Sequence, residues 1–344
     1  MSGRAGAVII AVFLLAIFVP LAMAVPGAFG SGGGARKAIS AAAFRGWYEK
    51  SFGMRDLLVR AHAVLKLRVL GVSSNRKNVI KGRDGWFYYT DENITDYYRA
   101  AYPMTTGELE KWRAGLEQTR DSLAARGIQY IFFIAPNKQT IYPDYFPASL
   151  NRINPQTRLE QLVDYMRAQS GYRMPDLRDA LRGGRADGLV YSRTDTHWTS
   201  FGAYLAYAEI MREVGLRYTG AGPRPLSEFH IRQVPMSTGG LARMLGLGGR
   251  MTEYVPELVP LEPRRAVIEE KYAEGDVRIV VSRCPGAELP RAVVFHDSFM
   301  NAMIPFLAEH FRMAVFVHKS EFDTRLVDEF RPNIVIEEMV ERIL

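Results

Sequence analysis

The feature that most constrains this chain is a set of short apolar runs with helix-like segments between them. Residues 128–134 read Ile-Gln-Tyr-Ile-Phe-Phe-Ile, apolar almost without interruption, which is the pattern of a strand buried on both faces of a parallel sheet. The sheet pattern resumes at residues 277–282, 292–295, 314–317 and 334–336, and helical segments separate the last three. Such alternation predicts a three-layer α/β domain with a mostly parallel sheet. The chain has 344 residues, 48% of them hydrophobic. It can therefore bury a substantial core, as two domains or as one elaborated domain.

Other elements follow from local signals. Residues 79–89 read as a hairpin with Asp84-Gly85 in the turn. Thr105-Thr-Gly-Glu108 is a capping box that opens a helix running to about Gly127. Residues 155–169 and 174–181 read as further helices, and Thr199 is placed to cap a helix through Met211. Phe44, Trp47, Tyr48 and Phe52 fall at helical spacing, as do Leu57, Leu58, Ala61, Leu65 and Val69. We read residues 39–75 as a helical lead-in to a domain covering 39–344. Residues 216–290, punctuated by Gly239-Gly240 and by Gly246-Leu-Gly-Gly249, read as an irregular insertion or substrate-facing lobe.

The first 25 residues stand apart. After Arg4, residues 5–25 carry no charge, about the ~20 residues that a bilayer span requires. Ala22-Met23-Ala24 also fits a signal-peptide cleavage pattern. Signal anchor and signal peptide both send the remainder outside the cytoplasm, since Arg4 favours the inner side. Residues 26–38, with Gly30-Ser-Gly-Gly-Gly34, form a flexible linker. A net charge of +7 suggests nucleic acid in isolation, but export argues against it. An anionic glycan or a membrane surface suits a basic exported protein better. Cys284 is the only cysteine, which excludes an intramolecular disulfide and a cysteine-based metal site.

Two stretches carry chemistry. Tyr191-Ser-Arg193-Thr-Asp195-Thr-His197-Trp198 places a carboxylate and an imidazole two residues apart, and in an extended segment such residues point the same way. A hundred residues later an apolar run stops at Asp297-Ser298, where a helix-like segment begins. Ser298 as nucleophile, His197 as general base and Asp195 as its orienter would make a triad. Backbone N–H groups after Ser298, with Asn301 one turn on, are candidate oxyanion donors. The polar loop after residues 128–134 lies at the carboxyl end of a strand, where α/β sheets bind ligands. It makes Asn137, Lys138 and Tyr142 pocket candidates. Arg193 joins them as a substrate-binding candidate, and Trp198 is either an aromatic wall for a sugar or part of the core. The alternatives at this stage are a metal site, with His230, His296 or Asp297 as third ligand, and a purely structural Asp-x-His pair. His62, His310 and His318 read as structural.

With these residues in view, the sequence resembles the periplasmic alginate O-acetyltransferase family, SGNH-hydrolase-like proteins that acetylate exported polysaccharides. The likeness runs from about Phe44 to the end and rests on Gly53-Met-Arg-Asp-Leu57, Asp84-Gly-Trp-Phe87, Lys138 with Ile141-Tyr-Pro143, Thr194-Asp-Thr-His-Trp198, Asp297-Ser-Phe299 and Ile334-Val-Ile-Glu-Glu338. It implies a triad of Asp195, His197 and Ser298 and an SGNH-like fold in circularly permuted order, with the serine last. It further implies transfer of an acetyl group through Ser298 onto a polysaccharide hydroxyl, without a cofactor. The implied donor is a membrane-bound, multispanning acyltransferase, and the implied location is the periplasm, at the inner membrane. An esterase that deacetylates the glycan and a glycan-binding scaffold with a silent site are the alternatives.

Overall fold

The computed structural model describes residues 77–91, 93–272, 277–286, 288–319 and 322–344 together with Asn75, and apart from these Leu14, residues 61–62 and residues 64–66. Two compact units, Met1–Ser74 and Asn75–Leu344, are distinguished. In the first, the described residues are helical. The expected membrane segment, linker and most of the lead-in lie outside the described residues. Among the described residues no helix is long and apolar enough to cross a membrane.

The second unit begins with a hairpin of β1 (Val79–Lys81) and β2 (Phe87–Tyr89). Its turn uses Asp84 and Gly85 at φ 50° and 79°, the left-handed pair that matches strand twist. Helix α1 (Thr106–Ala124) starts at the expected capping box. It leads into β3 (Gln129–Ala135), six of whose seven residues are buried. Helices α2 (Arg158–Gln169), α3 (Arg178–Gly184) and α4 (Ser200–Gly215) follow. A capping box at Thr157 opens α2, and the Thr199 hydroxyl caps α4 by accepting the Gly202 N–H.

Residues 216–290 are more regular than the sequence suggests. They hold an antiparallel ribbon of β4 (Phe229–Met236) and β5 (Glu253–Pro260), then β6 (Val267–Tyr272) and β7 (Arg278–Arg283), both in the main sheet. The ribbon escaped sequence reading because β4 is exposed over most of its length and the two strands contain Pro235, Pro256 and Pro260, so no apolar alternation marks them. After β8 (Arg291–Phe295), β9 (Met313–Val317) and helix α5 (Thr324–Phe330), β10 (Ile334–Val340) completes the sheet.

The sheet order is β3-β10-β8-β9-β7-β6. The first four strands are parallel, and β7 and β6 are antiparallel additions at one side. The sheet is therefore mixed, with a parallel centre. Alternation along β10 sends Ile334 and Ile336 into one core with α3 and α4, and Val335 into another with α1, α2 and α5. Helices on both faces give three layers. The carboxyl ends of β8 and β10 meet beside the loop that precedes α4, and this junction is where Ser298 and His197 come together.

Candidate active site

The 192–197 loop forms the site by folding back on itself. It is a bend instead of the extended segment expected, closed by an isolated bridge between Tyr191 and Trp198. Asp195 Oδ1 accepts from His197 Nδ1 at 2.7 Å and from the His197 backbone N–H at 3.2 Å. The carboxylate thus fixes both the ring and the chain that carries it. His197 Nε2 lies 2.8 Å from Ser298 Oγ. With Nδ1–H donating to Asp195, Nε2 presents its lone pair to the serine hydroxyl, the protonation pattern of a general base.

Two elements from residues 216–290 hold the 192–195 loop from the other side, and one of them reaches Asp195. The Gly240 N–H donates to Asp195 Oδ2 at 2.5 Å, and the Gly239 N–H donates to Thr194 Oγ1 at 3.1 Å. A Cβ on Gly239 would overlap the Thr194 carbonyl, so only glycine permits this approach. Glu253, the first residue of β5, accepts from the Ser192 hydroxyl, from Arg193 N–H at 2.9 Å and from Thr194 Oγ1 at 2.8 Å. Burial alone would raise the Asp195 carboxyl. The hydrogen bonds from the His197 ring and from Gly240, with the His197 charge, outweigh it and hold Asp195 well below the usual carboxylate range.

Ser298 opens a 3-10 turn, Ser298–Ala302, where an α-helical start was expected. Asp297 anchors the turn. Its Oδ1 accepts the Phe299 N–H and its Oδ2 the Val340 N–H, both at 2.8 Å. One of the expected oxyanion donors, the Phe299 N–H, is therefore already engaged. Asn301 sits on the exposed side of the turn, with its Oδ1 accepting from Arg278 at 3.3 Å.

Three further candidates are buried, and Trp198 takes the core place that was one of its two readings. Trp198 is 4% exposed and its indole N–H donates to the Phe299 carbonyl at 2.9 Å. It packs against Phe299 and Tyr191, so it joins the histidine loop to the serine turn and offers no face to a sugar. Lys138 is buried, and its ammonium donates to the carbonyls of Ser192, Arg193 and Asp195 at 3.0, 3.2 and 2.6 Å. Burial lowers it to about 7, against the pull of Asp195 and Glu253. It braces the loop from within. Tyr142 is buried under the Arg185 guanidinium, 4.6 Å from the ring centroid, and its hydroxyl accepts the Val190 N–H at 3.1 Å.

Tyr142 and Arg193 do line one cleft, of about 590 Å³, with Tyr145, Arg182, Arg185 and Asp187. Arg193 is exposed, and no described partner engages its guanidinium. A separate small cavity beside Thr196 and Phe299 is lined by Asn137 and Arg342. Asn137 is 4% exposed and its side-chain nitrogen has no partner among the described residues. Of the alternative metal ligands, His230 is exposed on β4, and His296 donates from Nδ1 to the Asp297 carbonyl at 2.6 Å. Among the described residues no group of three or more His, Cys, Asp or Glu is arranged to hold a metal ion. His310 is buried, with Nε2 2.6 Å from the Tyr207 hydroxyl, and burial pushes it down to about 4. His318 packs on His296, and His62 is an exposed helical residue. Cys284 is free and buried.

Gly239, Gly240 and Glu253 were missed by sequence reasoning. The glycine pair was visible as punctuation, yet nothing local ties it to residues 194 and 195.

A three-layer α/β unit with Asp195, His197 and Ser298 in hydrogen-bonded series defines the class, an SGNH-hydrolase-like protein. The family model that matches describes an SGNH hydrolase-like domain, acetyltransferase AlgX, and covers residues 79–277. The chain belongs to that family. The match includes Asp195 and His197 and ends before Ser298. Among related sequences, a probable alginate O-acetylase AlgJ from Azotobacter vinelandii is 30% identical over 177 residues, 49% of this chain and 42% of that protein. Its Pseudomonas aeruginosa counterpart is 28% identical over 228 residues, 64% and 54% of the respective chains. This chain thus spans about half the length of the curated relatives it matches. The solved structure of Bacillus cereus PatB1 shares the fold with a TM-score of 0.57 at 16% identity, over 77% of this chain and 96% of that one.

Proposed function

We propose that this protein moves an acetyl group through Ser298 onto hydroxyls of an exported, alginate-like polysaccharide. The observation that carries this reading is the relay from Asp195 through His197 to Ser298 at 2.7 and 2.8 Å. His197 Nε2 takes the Ser298 proton as Oγ attacks the acetyl carbonyl. The tetrahedral intermediate collapses, and the departing oxygen of the donor takes that proton from His197. A sugar hydroxyl then gives its proton to His197 as it attacks the acetyl-serine, and the proton returns to Ser298. The imidazole side chain is 38% exposed, so donor and acceptor can reach it in turn. The unpartnered Asn137 amide is our candidate for an oxyanion donor.

The cleft of Arg182, Arg185 and Arg193 suits acidic sugars, since guanidinium forks match carboxylates. We assign the acceptor chain to it. The relatives' names support a polysaccharide acceptor, and a multispanning membrane acyltransferase is the donor we propose. Residues 1–25 would hold the protein to the inner membrane with its catalytic part in the periplasm. The serine-last order, Asp195, His197, Ser298, fits a circularly permuted SGNH arrangement.

Intact-mass spectrometry after incubation with an activated acetyl ester tests the reading, with and without an oligouronate acceptor. An acetyl adduct absent from Ser298→Ala and discharged onto the oligosaccharide is the expected result. Free acetate as the sole product would make the protein an esterase instead. No adduct on the wild type would leave only the binding role.

A further inference from the structure

Beneath Ser298 lies an acid that this reaction does not use. Glu338 is 0% exposed, and one of its carboxyl oxygens has no partner among the described residues. Its place on β10, two residues after Ile336, turns it toward the same face as the site. Its Oε2 accepts the backbone N–H of Asp297 at 3.0 Å, one residue before the nucleophile. Its Oε1 is the oxygen that meets no donor among the described residues, and the Asp297 carboxyl is the acid that acts on Glu338 most strongly. Both Asp297 oxygens already accept backbone N–H groups, from Phe299 and Val340. Two carboxyls that face each other without a bridging cation are satisfied only when one of them carries the proton. Burial selects Glu338, because a fully enclosed carboxylate is the costlier of the two.

We propose that Glu338 is a neutral carboxylic acid that fixes the Asp297–Ser298 turn, its O–H donating to the Asp297 carboxylate and its carbonyl oxygen accepting the Asp297 N–H. It is a positioning residue, and its kinetic consequence rests on the acyl transfer proposed above. The surrounding groups agree with a neutral state. Burial and then the Asp297 charge push the Glu338 carboxyl well above its ordinary value, against the Asp297 N–H and the Arg342 guanidinium. Tyr191 also faces it, as a buried phenol raised far above its usual range. On the neighbouring strand side, His296 is pushed down to about 4, chiefly by burial, and is uncharged at neutral pH. The Arg342 guanidinium acts on Glu338 from nearby and favours its charged form, but less strongly than burial and the Asp297 charge oppose it.

The amide of Glu338→Gln reproduces the neutral acid, with –NH2 donating and C=O accepting. This variant should keep the wild-type rate of Ser298 acylation at neutral pH. It should also lose the alkaline fall in rate that ionisation of Glu338 imposes on the wild type. Glu338→Ala should acylate about 100-fold more slowly, the scale of a misplaced nucleophile. Infrared spectroscopy of the full protein at neutral pH should show a protonated-carboxyl C=O band that Glu338→Gln removes. A glutamine variant as slow as the alanine variant, or no such band, would overturn the proposal. Should Glu338→Ala fail to fold, the glutamine variant and the band decide. The band reads the proton independently of acyl chemistry, so a band with no acylation in any variant would indict the transferase reading and leave the neutral acid standing.

Discussion

The Asp195 carboxylate holds His197 twice, through the ring Nδ1 at 2.7 Å and through the backbone N–H at 3.2 Å, both on Oδ1. Its other oxygen accepts the Gly240 N–H. Every bond to the side chain therefore requires an acceptor. In Asp195→Asn one amide position becomes a donor, which either opposes Gly240 or stabilises the wrong tautomer of His197. We expect acylation of Ser298 to fall by about 10³- to 10⁴-fold with the melting temperature little changed. Rapid-quench mass spectrometry of the acyl-enzyme measures the first quantity, and a thermal melt checks the second. A rate within tenfold of wild type would remove Asp195 from the machinery.

Gly239 carries a second prediction because its neighbour supplies that Gly240 bond. A methyl group on Gly239 would overlap the Thr194 carbonyl, so Gly239→Ala must move the Gly240–Met244 helix away from the loop. The Gly240 contact to Asp195 is then lost while the Asp195–His197 bond survives. Acylation should slow by about 10- to 100-fold, the scale of one lost charge-assisted hydrogen bond, roughly 1.5–3 kcal/mol. Stopped-flow assay with an aryl acetate would detect it. Unchanged kinetics would show that β5 and the Gly239 segment merely cover the site.

The difference between Asp195 and Gly239 shows what a sequence makes legible. Asp195, His197 and Ser298 carry reactive groups, and their surroundings mark them: a short motif before a capped helix and an abrupt end to an apolar strand. The parallel centre of the sheet was readable for a similar reason, since β3 and β8 bury almost every residue and so lose their polar positions. The supports left no such trace. Gly239 and Gly240 act through backbone N–H groups, and Glu253 reaches the loop from about 60 residues away. Lys138 was read as a pocket candidate and Trp198 as either a sugar wall or core, because an ammonium or an indole looks the same in a sequence whether it meets a ligand or a buried carbonyl.

Lys138 supplies the third prediction. Its three N–H donors match three carbonyls of the 192–195 loop. Lys138→Met keeps the volume and removes every donor. Leaving buried carbonyls unsatisfied costs about 1–3 kcal/mol each, partly relieved where Phe87 N–H still reaches Arg193 O. We expect destabilisation of roughly 3 kcal/mol in urea unfolding, together with loss of acylation. Normal stability with altered affinity for oligouronates would instead restore Lys138 to the acceptor site.

Glu341 tests the segment that carries Lys138 through pH. It is fully buried and accepts the Asn137 N–H at 2.6 Å and the Thr140 hydroxyl at 2.7 Å. Burial raises its carboxyl from 4.5 to about 7, more than the Asn137, Thr140 and Arg178 contacts lower it. Between these values the folded protein retains a proton that the unfolded chain has released. Stability therefore falls as pH rises across the window, by on the order of 3 kcal/mol for this group. Below 4.5 both states are protonated and its contribution is complete, whereas above about 7 it is spent. Glu341→Gln cannot titrate, so urea unfolding from pH 4.5 to 7 should lose that component of the slope. An unaltered slope would mean that Glu341 is ionised in the folded protein, with the Asn137 N–H and the Thr140 hydroxyl sufficient to hold the charge.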